Sequence, residues 1–275
     1  METQFFTQET SFRELPEQSS GSRYEIFLFR DEVRFSIDFA VHHCEAGGTA
    51  LFLTPYQTVR WLETGKGELR RVQFHGDYYC IEYHREEVAC NGVLFNDVYE
   101  APFVGLSGDV FEEVWSLCGR MAAAARCDGA PGEAVVRSYL QVILALCSRE
   151  KLDHLEIRKD RAAPRPEVAG FRELLEQHFL EERSPAFYAA RLGVSGRSFG
   201  RMVNARFGKA PGVLIRERVV LEAKRLLHLT HRSIKEIAAQ LQFEDEYYFS
   251  RYFKKEVGVA PQHFRDQVGI SRAAK

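Results

Sequence analysis

The chain has 275 residues, of which 45% are hydrophobic and 28% are charged, enough to bury two cores of ordinary size. It contains no run of 18 apolar residues and no basic segment followed by an apolar leader. Composition therefore argues against a membrane protein, and we expect a soluble, cytoplasmic protein with no membrane partner. The net charge of −2 conceals a basic final part, Glu167 to Lys275, which has 19 Lys and Arg against 13 Asp and Glu. Only this part can attract a polyanion.

The first part of the chain contains short runs that are typical of strands. Gly, Pro, Asp and Glu separate the runs, and several alternate apolar with polar side chains, as half-buried strands do. This spacing predicts an antiparallel sandwich or barrel. The predicted strands are 24–29, 33–40, 49–54, 69–75 and 78–84.

Two stretches of this region carry residue types that can bind ligands. Residues 42–45, "HHCE", are of metal-ligand type, but neighbours on a strand point to opposite faces, so only alternate members can share an ion. Cys80, Glu82 and His84 share one strand face, where they either line an effector pocket or face water. We predict no metal site and no cofactor.

The cysteines form no CxxC pair and are too sparse for a disulfide-stapled domain of this length. We expect them to be buried free thiols. The alternative is a redox switch formed by Cys44, Cys80 and Cys90, although no neighbouring residue obviously lowers a thiol pKa. The complete set is Cys44, Cys80, Cys90, Cys118, Cys127 and Cys147.

Two helices are predicted next, over 108–125 and 132–150. Their apolar faces are broad and belong either to the core of the chain or to a dimer interface, and composition does not separate these alternatives. The stripes are Val110, Val114, Leu117 and Met121 in the first helix, and Val135, Leu140, Ile143, Leu144 and Leu146 in the second.

A linker is predicted over residues 156–166. Pro164 and Pro166 interrupt helices, and the charged and small residues around them offer no core face. The predicted domains are therefore 1–155 and 167–270.

The final part contains two copies of a helix-turn-helix pattern. In the later copy, Ser233 and Glu236 form a capping box that starts one helix, and Gly258 ends the next. The second helix of this copy directs Phe249, Phe253 and Val257 inward. A polar stripe on its other face consists of Tyr247, Ser250, Arg251 and Lys254.

The earlier copy, residues 184–211, repeats this pattern at offsets of 49 and then 50, because the later turn has one extra residue. Its polar stripe consists of Arg197, Gly200, Arg201 and Asn204. Residues 211–230 lie between the copies and predict one long helix without a breaker. Such a rod can present two reading helices to successive major grooves of a duplex.

These motifs resemble the DNA-binding domain of AraC/XylS-type transcriptional regulators, over about 100 residues from Phe171 to Asp266. Gln242 stands where the family usually has Gly, and Gly200 removes a side chain from the first polar stripe. The matching stretches are "AARLGVS", "GRSFGRMVNARFGKAP", "RVVLEAKRLL" and "SIKEIAAQLQFEDEYYFSRYFKKEVGVAPQHFR".

The resemblance implies a transcription regulator rather than an enzyme, with double-stranded DNA as its partner. It also implies an α+β chain in which a cupin-like jelly-roll barrel with flanking helices precedes the all-α domain. That barrel would sense a small-molecule effector and form a homodimer, with RNA polymerase as a further candidate partner. The DNA contacts implied are Arg197, Arg201, Asn204, Tyr247, Ser250, Arg251 and Lys254.

Structural roles for these residues remain open. Tyr247 can pack on a neighbouring turn, and Arg201 and Arg251 can brace the fold by pairing with a carboxylate in residues 244–246. Lys254 and Asn204 can contact phosphate or be solvated. At the level of function, the alternatives are a cupin-type metal-dependent enzyme fused to a nucleic-acid anchor and a non-specific architectural DNA binder.

Overall fold

The chain divides into two compact units. Unit 1 consists of the residues up to Asp97 together with Ala101–Arg158, and unit 2 consists of Val98–Glu100 together with the residues from Lys159 onward. No described helix is both long and apolar enough to cross a membrane. The computed structural model describes residues 5–38, 40–76, 78–79, 93–95, 97–126, 130–161 and 166–268.

Short antiparallel strands fill most of unit 1. They are β1 (Phe5–Ser11), β2 (Gln18–Ser19), β3 (Tyr24–Phe29), β4 (Val33–Ile37), β5 (Ala40–Cys44), β6 (Thr49–Leu53), β7 (Val59–Glu63), β8 (Glu68–Phe74) and β9 (Phe103–Gly105). One sheet has the order β1-β8-β3-β6-β9 and the other has the order β2-β7-β4-β5. The expected antiparallel β-domain is confirmed, but its described strands form two sheets rather than one closed barrel.

Strand β3 is buried on both of its faces. Ile26 and Leu28 belong to a core that includes residues of two helices, whereas Phe27 and Phe29 belong to a core shared with Trp61 of the other sheet. The ring centroids of Phe27 and Trp61 are 5.4 Å apart, in an edge-to-face arrangement. The two sheets therefore pack face to face, and helices cover the outer face of the five-stranded sheet.

A buried ion pair connects β3 to β8 within the sheet. Glu25 is only 4% exposed, and its carboxylate accepts hydrogen bonds from Arg71 Nε at 3.0 Å and Arg71 Nη2 at 3.2 Å. Gln73 Nε2 donates a third hydrogen bond to Glu25 at 3.0 Å. A buried carboxylate without partners would lower the stability of the fold, so Arg71 and Gln73 are needed to compensate for the burial of Glu25. Glu25 and Gln73 also face each other in the strand register.

Three predicted strands coincide with observed ones: 24–29, 49–54 and 69–75 correspond to β3, β6 and β8. The sequence patterns missed β1, β2, β7 and β9. Of the predicted strand 78–84, Tyr78 and Tyr79 lie in a turn, and the rest lies outside the described residues.

The predicted strand 33–40 is confirmed over Val33–Ile37, which form β4, but it is wrong near its C-terminal end, where the chain reverses between β4 and β5. Asp38 has a positive φ of 51°, so its backbone leaves the extended conformation. Its carboxylate accepts a hydrogen bond from the Thr58 amide at 3.1 Å, which stabilises the turn. A polar residue that tolerates left-handed backbone thus divides an otherwise strand-like run.

Two helices follow the strands, namely α1 (Gly108–Ala124) and α2 (Ala130–Arg161), and unit 1 includes α2 as far as Arg158. Both apolar stripes contribute to the core against the five-stranded sheet, so a core within the chain accounts for most of each stripe. Helix α2 also extends into the segment 156–166 predicted as a linker. The buried members of the stripes are Val110, Val114, Met121, Leu140, Ile143 and Leu144, with Leu117 and Leu146 partly buried and Val135 44% exposed.

Unit 2 is helical. Its helices are α3 (Pro166–His178), α4 (Pro185–Arg191), α5 (Gly196–Phe207), α6 (Pro211–Leu229), α7 (Ile234–Gln240), α8 (Glu246–Val257) and α9 (Pro261–Val268). The predicted long helix is confirmed as α6, which is 19 residues or about 28 Å long. Helix α6 contacts the pair α4–α5 and also the pair α7–α8, so one rod supports both helix-turn-helix motifs.

The segment Val98–Glu100 belongs to unit 2, although the residues on either side of it in sequence belong to unit 1. The Tyr99 hydroxyl donates a hydrogen bond to Glu176 Oε1 at 2.6 Å, and burial together with this bond raises the pKa of Tyr99, so it remains a donor. Arg218 Nε lies 3.0 Å from both oxygens of Glu176. The Tyr99 ring lies 5.7 Å from that of Phe207, the last residue of α5. Two further bonds join Glu100 to Arg206 and the Val98 carbonyl to Lys209, both at 3.3 Å.

Each helix pair is joined by a turn with one left-handed residue. Gly193 has a φ of 67° in the first turn, and Gln242 has a φ of 56° at the matching place in the second. In both turns the next amide donates back to a carbonyl of the preceding helix, as in a Schellman motif. These bonds are Val194 N to Ala189 O at 3.0 Å and Phe243 N to Ala238 O at 2.9 Å. The extra residue of the later copy, Glu244, follows the closing bond.

We predict that Gln242→Gly raises the free energy of unfolding by about 1 kcal/mol, because glycine adopts left-handed backbone without the clash of a Cβ atom. Urea unfolding followed by far-UV circular dichroism measures the change. Gly193→Ala is the matched control and should lower stability by a similar amount, since a Cβ at position 193 meets no atom within 4 Å and only backbone strain remains. A Gln242→Gly variant no more stable than the wild type would contradict the strain argument.

Candidate nucleic-acid interface

Side-chain caps fix the start of the second helix in each motif. In α5, Ser195 Oγ accepts a hydrogen bond from the Ser198 amide at 3.2 Å. In α8, Asp245 Oδ1 accepts one from the Tyr248 amide at 2.6 Å. Each cap satisfies an amide that the helix itself leaves without a partner. Both helices therefore begin at a defined residue, which sets the faces that their side chains occupy.

The inward faces of both helices consist of apolar side chains. Phe249, Phe253 and Val257 are buried in α8 as the spacing predicts, and Phe199 and Val203 are buried in α5. Aromatic rings meet edge-to-face across these cores, with centroids 5.0 Å apart for Phe171–Phe199 and 5.2 Å apart for Phe243–Phe249. Burial of one face in each helix leaves the opposite face in solvent.

The outward faces carry the predicted DNA-contacting residues. In α5 the exposed members are Arg197, Arg201 and Asn204, while in α8 they are Tyr247, Arg251 and Lys254. Ser250 is partly exposed. Every predicted contact residue thus lies on the open face of its helix, and none is in the core. We call these two sets of residues the α5 stripe and the α8 stripe, and count Gly200 in the first and Ser250 in the second.

The arginines of both stripes form no ion pair within the described part of the chain. Within the described residues, neither Arg201 nor Arg251 pairs with a carboxylate of residues 244–246, so no ion pair there supports a bracing role. Acidic residues elsewhere in unit 2 instead form ion pairs with lysine and arginine side chains that lie outside the stripes. These pairs include Lys209–Glu217 (2.8 Å), Arg216–Glu256 (3.5 Å), Arg218–Glu176 (3.0 Å) and Arg225–Glu222 (2.6 Å).

Tyr247 is 70% exposed, whereas Tyr248 beside it is 44% exposed. The Tyr248 ring lies 5.7 Å from that of Phe243 in the turn, so Tyr248 makes the packing contact considered for Tyr247. Across the described residues, Tyr247 itself has no ring contact. The two neighbouring tyrosines therefore differ: Tyr247 is the more exposed, and Tyr248 packs on the turn.

The candidate ligand residues of unit 1 give a different result. Cys80, Glu82 and His84 lie outside the described residues, so their assignment as effector-binding residues stays a prediction. The His42 ring packs on both Phe35 and Phe103, with its centroid 5.6 Å from each of theirs. His43 points to the other face, where its Nε2 lies 2.9 Å from Glu32. Within the described residues, no cluster of three His, Cys, Asp or Glu could hold a metal ion.

Three described cysteines are buried free thiols, as expected. Burial raises the pKa of Cys44 to about 11 and that of Cys118 to about 12, and it raises the pKa of Cys147 as well. Only a small fraction of each thiol is ionised near neutral pH, so these cysteines are poor nucleophiles. Cys80, Cys90 and Cys127 lie outside the described residues.

Sequence patterns missed two features that support the stripes. Arg183 Nη2 donates to the Leu241 carbonyl at 2.5 Å, and its guanidinium lies 3.8 Å from the ring centroid of Phe243. This arginine therefore holds the turn that precedes α8. Val98–Glu100 similarly packs against the end of α5. Neither feature has a local signal, since both depend on residues distant in sequence.

Comparison with known proteins identifies this region. A family model described as "Helix-turn-helix domain" matches residues 188–267. The HTH-type transcriptional activator RhaS of Salmonella schwarzengrund is 27% identical over 156 residues, which cover 57% of this chain and 54% of RhaS. The HTH-type transcriptional regulator ExsA of Pseudomonas aeruginosa is 28% identical over 99 residues, which cover 36% of each chain. The chain thus spans about half, or less, of the length of these relatives.

Among solved structures, the C-terminal domain of AraT, a response regulator from Geobacillus stearothermophilus, is 28% identical, with a TM-score of 0.38. The match covers 42% of this chain and 95% of the AraT domain. The family model falls on the paired helices, their left-handed turns and the α6 rod. The C-terminal part of this chain is therefore a helix-turn-helix domain, similar in sequence to parts of these HTH-type regulators.

Proposed function

We propose that the chain is a transcription regulator that binds specific duplex DNA through the α5 and α8 stripes. The observation that carries the proposal is the repetition of one arrangement, a capped helix with a buried apolar face and an exposed face bearing arginine, on both sides of the α6 rod. Exposed arginines that form no ion pair within the described residues are available to bases and phosphates. Both of the relatives described above bear the names of transcriptional regulators.

Each stripe combines groups suited to different parts of DNA. Arginine can donate two hydrogen bonds to the O6 and N7 atoms of guanine, and a tyrosine ring can pack on the methyl group of thymine. Lysine is better suited to phosphate, as a point charge on a flexible stem. In this proposal Arg201, Arg251 and Tyr247 read bases, and Lys254 and Asn204 fix the position of the helices on the backbone.

For unit 1 we propose a cupin-like jelly roll that senses an effector and forms a homodimer. In the strand order, β1 pairs with β8, β8 with β3 and β3 with β6, opposite a sheet in which β7 lies between β2 and β4. This order supports a double-sheet jelly roll. Val135 and Val142 lie seven residues apart on α2 and are more than 40% exposed, which supports contact with a second copy. We retain 1–155 as the sensory domain and 167–270 as the DNA-binding domain.

Switching requires an effector whose affinity differs between two states of the chain. RNA polymerase would be a further partner if the regulator activates transcription.

A regulator of chromosomal genes works where the chromosome is, and the named relatives are bacterial, so we propose a cytoplasmic location. The regulator names of these relatives favour a non-enzymatic role, and we propose no second function.

We predict that the full chain selects a specific sequence from a random duplex pool and binds it in a strongly salt-dependent manner. If about six phosphates are contacted, affinity should fall about 10³-fold between 50 and 200 mM salt. Fluorescence anisotropy at the two salt concentrations measures this. The full chain is used because residues 167–275 alone would lack Val98–Glu100. Equal affinity for all sequences would favour an architectural binder, and no binding by folded protein would refute the proposal.

We predict that Arg251→Ala and Arg201→Ala each lose about 1 to 3 kcal/mol of binding free energy on the selected site and relax the preference at one base position. Lys254→Ala should weaken binding to all sequences about equally. Its matched control is Lys255→Ala, which removes the same charge from an adjacent face of α8. Thermal melting without DNA should be unchanged in the arginine variants, and a lower melting temperature would restore the bracing role.

We predict that Tyr247→Ala folds normally and loses affinity chiefly for sites with a thymine at the contacted step. Tyr247→Phe retains the ring and should keep most of this preference. Phe249→Ala is the contrasting variant, because the cavity left by this fully buried ring should cost about 3 to 5 kcal/mol of stability. Selection from a random pool with each tyrosine variant gives the readout. Wild-type affinity and preference in Tyr247→Ala would assign base reading in the second motif to Arg251.

A further inference from the structure

Gly200 is the fifth residue of α5, at a position where the fold makes no demand for glycine. It is not among the residues with positive φ, so its backbone is one that any residue can adopt. A Cβ atom built at this position meets no heavy atom within 4 Å. Gly193 and Gly208, by contrast, have left-handed backbone, and a Cβ at Gly48 would collide with Phe111.

Glycine inside a helix also lowers stability relative to alanine, because it loses more backbone freedom on folding. The contacts of the folded chain therefore leave the presence of glycine at position 200 without a structural reason. Its surroundings supply a different reason. Gly200 lies in the α5 stripe beside Arg201, one turn from Asn204 and three residues from Arg197, so it occupies the centre of the exposed polar face.

We infer that Gly200 contributes to DNA-sequence specificity because it has no side chain. The backbone of α5 can then approach a base edge more closely than any side chain would allow. The inference rests on the proposed DNA-binding function and deepens it. With no side chain at position 200, Arg197 and Arg201 can reach the base pairs on either side of the point of closest approach. The second motif has Ser250 at the matching position and Tyr247 nearby, so the two motifs should lie at different depths in their grooves.

The test uses the full chain and a graded series, Gly200→Ala, Gly200→Ser and Gly200→Leu, on the sequence that the wild type selects. We expect Gly200→Ala to raise the melting temperature by about 2 to 4 °C, because alanine is the better helix former. The same variant should bind the selected site about tenfold or more weakly, the size of one lost base contact. Loss should increase with side-chain size, whereas binding to random duplex should change by about twofold or less, because phosphate contacts dominate it.

Gly212→Ala in α6 is the matched control, since its Cβ makes only ordinary contacts of 3.7 Å and it lies outside both stripes. It should leave specific binding unchanged. A Gly200→Ala variant with undiminished affinity for the selected site would overturn the inference, and so would a lower melting temperature, which would reveal a structural need for glycine. A wild-type chain that selects no sequence would instead refute the proposed function itself, so the two failures are distinguishable.

Discussion

The left-handed residue in each turn is the constraint on which the helical unit depends. At Gly193 and Gln242 the backbone reverses, and the following amide bonds back to the helix that has just ended. This geometry sets the angle at which the second helix of each pair leaves the turn. The inward faces then meet the core and the polar stripes face solvent. A different conformation at these two positions would rotate the stripes toward the core.

The helical unit could be predicted largely from the sequence because its signals are local. Ser233 and Glu236 form the predicted capping box, with the Ser233 amide donating to Glu236 Oε2 at 2.7 Å. Burial of Phe249 and exposure of Arg251 follow from the period of the helix. Gln242 is instructive, since glycine is usual there in the resembled family, yet the turn keeps its shape. Burial of Leu241 and Phe243 on either side outweighs the modest cost of left-handed backbone at Gln242.

Unit 1 was harder to predict because its order depends on non-local pairing. Strand β3 reads as a run of large residues because two cores contact its opposite faces, so it has no alternation to detect. The sequence of β5, which contains His42 and His43, suggested a ligand site. Among the described strands, β5 instead lies at the edge of its sheet. Arg71 and Glu25 come from different strands, and no local pattern predicts their pairing. For the interface, the caps and stripes were predictable, whereas Arg183 and Val98–Glu100 were not.

The position of Val98–Glu100 has a consequence for the order of folding. Its hydrogen-bonding partners in unit 2 lie between 77 and 111 residues further along the chain, while the helix pairs make mostly short-range contacts. Closing so long a loop costs entropy that only later contacts repay, so local helix pairs should assemble first. During synthesis this short segment leaves the ribosome before any of its partners exist. The segment must therefore wait until the helical unit has been made, and docking of Tyr99 on Glu176 should be among the last steps.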